Sequence, residues 1–173
     1  AVRRSSPSPE IVVAGAGAMA EEHLKALLEL GTSPAAIAIV GRGAERAQAL
    51  GQRYGVAAHT GADGVALLAS APRAAVVAVS DEALAGVVLA LLAGGCQRVL
   101  VEKSGALQRA DLERVAATAA VSGAAVHVAY NRRFYPAVAA ARRLIEADGG
   151  LVGMTFDFTE LEGHVLRARE EKG

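Results

Sequence analysis

The stretch Ile11-Val12-Val13-Ala14-Gly15-Ala16-Gly17-Ala18-Met19-Ala20 constrains this chain more than any other. Four apolar residues run straight into Gly-x-Gly-x-x-Ala, and helical spacing follows through Leu24, Leu27 and Leu28 until Gly31. The pattern predicts a strand, a tight turn and a helix. Gly15 lets the backbone turn sharply, Gly17 has no Cβ to obstruct a pyrophosphate, and Ala20 lets the helix lie close to the strand. N–H groups at the helix start then face the anion, reinforced by the helix dipole. A glycine-rich turn in any parallel α/β domain would look similar. The strand before it and the helix after it are what favour a phosphate-binding turn.

Downstream, strands and helices alternate. Strands are predicted at residues 36–40, 56–60, 74–79, 98–101 and 125–129. Helices are predicted at 44–54, 64–70, 82–93, 107–121 and 137–147, with Gly55, Gly94-Gly95, Gly123 and Gly149-Gly150 as stops. Asp63 is a candidate N-cap for the helix at 64–70, and Ser80-Asp81 for that at 82–93. With right-handed crossovers, six strand–helix units give an α/β fold, a doubly wound parallel sheet with helices on both faces. Composition agrees: 53% of residues are apolar but only 3% aromatic, so Ala, Val and Leu must build the core, as suits a sheet buried on both sides. Ligands of such sheets bind beyond the carboxyl ends of the strands. Five junctions fall there: 15–20, Gly41-Arg42, Ser80-Asp81, Glu102-Lys103 and 130–133.

The second junction discriminates between ligands. NAD-binding domains carry an acidic residue about 20 positions past the fingerprint to hold the adenosine ribose. Here that place holds Gly41 and Arg42, and no carboxylate occurs between Gly31 and Glu45. An arginine there pairs with a 2′-phosphate, so NADP(H) is expected over NAD(H), with Arg46 one helical turn on as a second cation. The plain alternative for both arginines is a solvated surface charge.

Other classes find little support. Lys plus Arg and Asp plus Glu both number 18, so no basic excess points to nucleic acid or an anionic membrane. No apolar run approaches the roughly 20 residues of a membrane span. Residues 1–9 hold two arginines without an apolar core, so a disordered leader is expected rather than a secretory signal. The single Cys96 reads as a small buried apolar side chain and suits a cytoplasmic location. No metal-ligand spacing and no Ser/His/Asp order is present, and His23, His59 and His127 read as structural. His164 has no neighbour that marks it for proton transfer.

After residue 150 the pattern changes. Val152, Met154, Phe156 and Phe158 alternate with Gly153, Thr155, Asp157 and Thr159, which predicts a strand with one apolar face. A lone strand is unstable. It is expected to open a second domain at 151–173 whose remainder is absent, and to mediate homo-oligomers; an added edge strand on the main sheet is the alternative.

The fingerprint at 15–20, the run 76–81, Val99-Leu100-Val101-Glu102-Lys103-Ser104-Gly105 and Tyr130-Asn131-Arg132-Arg133-Phe134-Tyr135-Pro136 resemble the glucose–fructose oxidoreductase/inositol dehydrogenase (Gfo/Idh/MocA) family. The likeness runs from Ile11 to about Glu160. It implies an N-terminal Rossmann domain at 10–150 that binds NAD or NADP, and oxidation or reduction of a sugar-like hydroxyl or carbonyl. It implies further that Gly15, Gly17, Ala18 and Met19 hold the pyrophosphate and that Arg42 faces the adenosine ribose or its phosphate. Val79 and Ser80 would line the cleft, and Glu102 and Lys103 would flank the nicotinamide. Tyr130, Arg132 and Arg133 would lie near substrate. Lys103 is the expected catalytic residue, since a cation there can hold the substrate oxygen and stabilise negative charge as hydride moves. Ser104 replaces the family's proline, which is expected to relax the backbone that aims Lys103. Leu84 stands where many members have a histidine. The family's proton-handling Asp and His lie in a C-terminal domain not found in these residues.

Two functions are therefore expected: the cofactor-binding half of an NAD(P)-dependent sugar oxidoreductase, or a stand-alone dinucleotide-binding module without turnover. A methyltransferase is disfavoured because Gly41-Arg42 supplies no acidic ribose ligand.

Overall fold

A computed structural model of the chain describes residues 9–155 and 157. The chain divides into two units, 1–130 and 131–173. The first is built from β1 (Ile11–Ala14), α1 (Ala18–Glu29), β2 (Ile37–Gly41), α2 (Ala44–Tyr54), β3 (Ala57–Thr60) and α3 (Gly61–Leu68). These are followed by β4 (Ala74–Val77), α4 (Leu84–Ala93), β5 (Arg98–Val101), α5 (Arg109–Ser122) and β6 (Ala125–Val128). The second unit holds a short 3-10 turn at Asn131–Phe134 and α6 (Pro136–Ala147), which Pro136 opens at the position where a missing N–H costs nothing.

The six strands form one all-parallel sheet in the order β3-β2-β1-β4-β5-β6. This is the expected doubly wound arrangement. The chain moves outward from β1 in one direction, then returns to β1's other edge and moves outward again. Strand alternation sorts side chains to two apolar layers. Val13, Ile37, Ile39 and Val76 pack with Ala20 and Leu24 of α1 and Ala47 and Leu50 of α2. On the opposite face Val12, Ala14, Ala75, Val77, Val99 and Val101 pack with Leu84, Val88 and Leu91 of α4 and Val115 of α5. Among the described residues no polar or charged residue is buried. Cys96 lies fully inside, its Sγ 3.5 Å from the Arg98 carbonyl, and burial pushes the thiol up from its ordinary value. It behaves as the small apolar side chain expected.

Several boundaries move, each for a local reason. Pro34–Ala36 take a 3-10 turn, so β2 starts at Ile37 and runs on to Gly41. Helix α3 begins at Gly61 with Thr60 as N-cap, which places Asp63 inside the first turn; it is not the cap. Ser80 and Asp81 do not cap α4 either. The Ala83 N–H donates to the Ser80 carbonyl at 2.8 Å, closing a turn, and the helix starts only at Leu84 with Ala83 as N-cap and no side-chain capping bond. Strand β4 ends at Val77 and β6 at Val128, one or two residues short of expectation, and α5 starts at Arg109 rather than 107. Of the alternating stretch 152–159, residues 152–155 and 157 are described and adopt no strand. Phe156 and Phe158, with the charged segment after them and the leader at 1–8, lie outside the described residues.

Candidate functional site

Parallel register brings the strand ends to one rim. Ala14 pairs with Val40 on one side and Val77 on the other, Val77 with Val101, and Val101 with Val128. The turns beyond them therefore emerge side by side, about 4.8 Å apart per strand. Across the rim from β2 to β6 these are Gly41-Arg42, 15–17, 78–80, Glu102-Lys103 and Ala129-Tyr130.

The fingerprint turn sits at the switch point, between strands whose chains leave in opposite directions. Gly15 has φ +128°, and its N–H donates to the Val40 carbonyl at 2.8 Å. A Cβ on Gly15 would collide with the Ala78 carbonyl oxygen and stand 2.8 Å from its carbon, so only glycine fits this crossing. Gly17 is different. It is the N-cap of α1 with an ordinary extended backbone, and a Cβ there would meet nothing within 4 Å. That empty space opens in front of the first turn of α1, where Ala18 and Met19 are exposed and no side chain caps the helix. A backbone cradle with its N–H groups turned outward and no side chain in front of it suits the pyrophosphate of a dinucleotide. Ala20, fully buried, holds α1 against the sheet.

At the adjacent turn Gly41 is buried, and a Cβ there would lie 2.7 Å from Ala47 Cβ and 3.4 Å from Ala16 Cβ. The turn after β2 is thus packed tightly against both α2 and the fingerprint, and it delivers Arg42 to the surface beside them. Arg42 and Arg46 are exposed, and neither has an ion-pair or hydrogen-bond partner among the described residues. On the far side of β1, Val79 is half-buried and Ser80 exposed. Leu84, where the resembled family often has histidine, is fully buried against the α4-side layer.

The turn after β5 is held by several bonds. The Glu102 N–H donates to the Val77 carbonyl at 2.8 Å, and the Gly105 N–H to the Glu102 carbonyl at 2.9 Å. Ser104 Oγ donates to the Ala106 carbonyl at 2.9 Å, and the Lys103–Ser104 peptide is cis. The relaxation expected from losing the proline is therefore opposed by hydrogen bonds on both sides of Lys103. Lys103 itself is exposed and without an ion-pair or hydrogen-bond partner among the described residues. Glu102 turns back into the fold, where His23 Nε2 of α1 lies 2.7 Å from its Oε1 and both side chains are largely covered, at 19% and 12% exposure.

His23 was expected to be merely structural, and its partner was not foreseen. One signal was available: it lies between Ala20 and Leu27 on the apolar stripe of α1, where a polar side chain needs a partner. A second link joins α1 and α2. Glu21 in the first turn of α1 accepts from the Tyr54 hydroxyl at 2.7 Å and from Arg53 at 2.9 Å, both at the end of α2. The Tyr54 hydroxyl, and next the Arg53 guanidinium, hold the Glu21 carboxyl below its ordinary value.

Gly15, Gly17, Ala18, Met19, Arg42, Val79, Ser80, Glu102, Lys103 and Tyr130 thus share one rim. Tyr130 is 59% exposed, its N–H bonded to the Val128 carbonyl at 2.8 Å. Arg132 and Arg133 belong to the second unit, where both are exposed on the 3-10 turn and Arg133 lies over the Phe134 ring at 5.4 Å. Among the described residues no group of His, Cys, Asp or Glu is placed to hold a metal, and no helix is long and apolar enough to cross a membrane.

Comparison with known proteins fits this geometry. The family described as "Oxidoreductase family, NAD-binding Rossmann fold" (GFO_IDH_MocA) matches residues 10–130. Among solved structures, GenD2 of gentamicin A biosynthesis, in complex with NAD, is 26% identical with TM-score 0.70, over 88% of this chain and 44% of that one. UDP-N-acetylglucosamine 3-dehydrogenase GnnA from Acidithiobacillus ferrooxidans is 20% identical with TM-score 0.66, over 78% and 41%. Biliverdin reductase from Synechocystis sp. PCC 6803, with biliverdin and NADP+, is 18% identical with TM-score 0.67, over 84% and 44%. The chain thus spans less than half the length of each, and no curated protein matches it in sequence. With the family match covering the whole sheet and the fingerprint at its switch point, the chain belongs to the Gfo/Idh/MocA oxidoreductase family, through its NAD-binding Rossmann domain.

Proposed function

We propose that the chain is the cofactor-binding half of an oxidoreductase that moves a hydride to or from a sugar-like hydroxyl or carbonyl, with NADP(H) preferred to NAD(H). The observation that carries this reading is the shared rim. An open phosphate cradle at Gly17 has on one side of it Arg42 and on the other Lys103, both exposed and unpaired among the described residues. The cradle of Gly15, Gly17, Ala18 and Met19 receives the pyrophosphate on backbone N–H groups. Arg42 pairs with the 2′-phosphate of the adenosine ribose, and Val79 and Ser80 border the middle of the cofactor. Bound there, the nicotinamide ring supplies or accepts the hydride. Glu102 and Lys103 stand at that end. Lys103 holds the substrate oxygen and stabilises the negative charge that develops on it. Tyr130 contributes to the substrate side.

Among the relatives GnnA accords with the substrate class, and together they leave the cofactor open. GnnA is a dehydrogenase of a nucleotide sugar, GenD2 was solved with NAD, and the biliverdin reductase with NADP+. Arg42 favours NADP(H), because a guanidinium forms paired bonds to a phosphate that a plain ribose cannot offer. Calorimetric titration with NADPH and NADH, on wild type and Arg42→Asp, tests this. Wild type should bind NADPH more tightly by about tenfold, one charge-assisted contact's worth, and the substitution should remove or invert that preference. A ratio unchanged by Arg42→Asp rejects the assignment.

A further inference from the structure

Among the described residues, one side-chain hydrogen bond joins α1 to the turn after β5. His23 lies on α1, six positions after the phosphate-facing Gly17, and Glu102 immediately precedes Lys103. The contact is 79 positions apart in sequence, 2.7 Å long and largely screened from water. At 19% and 12% exposure it is better shielded than any of the other ion-paired contacts, which all involve surface side chains. Beyond it, the hydrogen bonds of residues 102–105 among the described residues are backbone bonds and that of the Ser104 hydroxyl. None of those reaches α1.

We infer that His23 is a positioning residue, whose hydrogen bond to Glu102 couples the phosphate-binding helix to the Lys103 turn, so that ordering of the dinucleotide and aiming of Lys103 occur together. This rests on the dinucleotide reading above. The physical basis is geometric. Helix α1 is rigid over its 12 residues, and a ligand anchored at its N-terminus fixes the position of His23. The ring N–H then holds the Glu102 carboxylate, and with it the backbone that projects Lys103. Without the ring, Glu102 loses its side-chain hydrogen bond to α1, and among the described residues the hydrogen bond that ties the turn to another element is the one from the Glu102 N–H to the Val77 carbonyl of β4.

Lysine chemistry reads this out, because the sequence contains only Lys25, Lys103 and Lys172. The full chain is acetylated with an N-hydroxysuccinimide ester, with and without saturating NADPH. The rate at each lysine is followed by mass spectrometry with Lys25 as internal reference, and NADPH affinity is measured in parallel. Wild type should show Lys103 protected severalfold by NADPH. His23→Leu should weaken NADPH binding about threefold to tenfold, the effect of one buried hydrogen bond. At saturating NADPH its Lys103 rate should approach that of the free protein. His23→Gln places an amide nitrogen near the Nε2 position and should restore both. His23→Asn falls short of Glu102 and should fail as leucine does, with less disturbance of the fold. A residue that only stabilises the fold would lower the melting temperature but leave protection at saturation intact. Wild-type protection in both His23→Leu and His23→Asn overturns the inference and leaves the dinucleotide reading standing. A wild-type chain that binds neither NADPH nor NADH overturns both.

Discussion

The two glycines of the fingerprint do separate jobs, and substitution by alanine should pull them apart. At Gly15, φ is +128° and an added Cβ would run into the Ala78 carbonyl. Holding alanine in that region costs about 1–3 kcal/mol. Relieving the collision requires the turn to move away from β4, which endangers the Gly15-to-Val40 bond, worth about 1 kcal/mol. Together the loss should be about 2–4 kcal/mol, seen in urea denaturation as a midpoint lower by about 1–2 M. At Gly17, φ is −92° and a Cβ meets nothing within 4 Å. Alanine there gains about 0.4–1 kcal/mol from a less flexible unfolded chain. It loses about as much as a poorer N-cap, so stability should hold within about 0.5 kcal/mol. The methyl group would project into the space in front of the α1 N–H groups, and NADPH affinity should fall by about tenfold or more, or 1.4 kcal/mol. Equilibrium unfolding and fluorescence titration on the same two proteins measure both quantities. A Gly15→Ala protein as stable as wild type refutes the packing argument. A Gly17→Ala protein that binds NADPH normally refutes the cradle.

Two further outcomes concern the scaffold. Leu24→Ala should cost about 2–5 kcal/mol in the same unfolding assay, since Leu24 is fully buried between α1 and the sheet. Tyr54→Phe removes the donor most responsible for depressing the Glu21 carboxyl, so the Glu21 titration followed by carboxyl NMR should move upward. The sign for stability follows: the Glu21 contribution is present above the ordinary carboxylate value of 4.5 and is lost as pH falls through the depressed one. The difference between wild type and Tyr54→Phe should therefore shrink as the solution is acidified, and a constant difference would exclude the Glu21 contact as its source.

Much of this architecture is readable from local chemistry. Helix α2 spans Ala44–Tyr54 as expected because Gly43 and Gly55 bracket it, and Gly55 closes it in the left-handed conformation. Strand β5 falls at Arg98–Val101 because its apolar run is sharply bounded. The misplaced starts share one cause: Ser80, Asp81 and Asp63 have the side chains of helix caps, but the backbone turn they enter decides where the helix begins. The rim was legible because parallel strands send every β–α junction to the same end. What joins its halves was not, since the bond between His23 and Glu102 depends on how α1 lies across β4, which no local pattern encodes. Of the residues that the resemblance groups after β6, Tyr130 ends the first unit, while Arg132 and Arg133 fall in the second.

Strand β1 is made first yet ends up in the middle of the sheet, paired with β2 and, 63 positions along, with β4. The phosphate turn needs both neighbours, Val40 to bind its Gly15 N–H and Ala78 to form its other wall. A chain emerging from the ribosome carries the fingerprint long before it carries the surroundings that shape it. Long-range pairing of this kind is slow to form. A dinucleotide would accordingly recognise the turn only once β2 and β4 flank β1, and its binding would serve the cell, or the experimenter, as a report that this long-range pairing has formed.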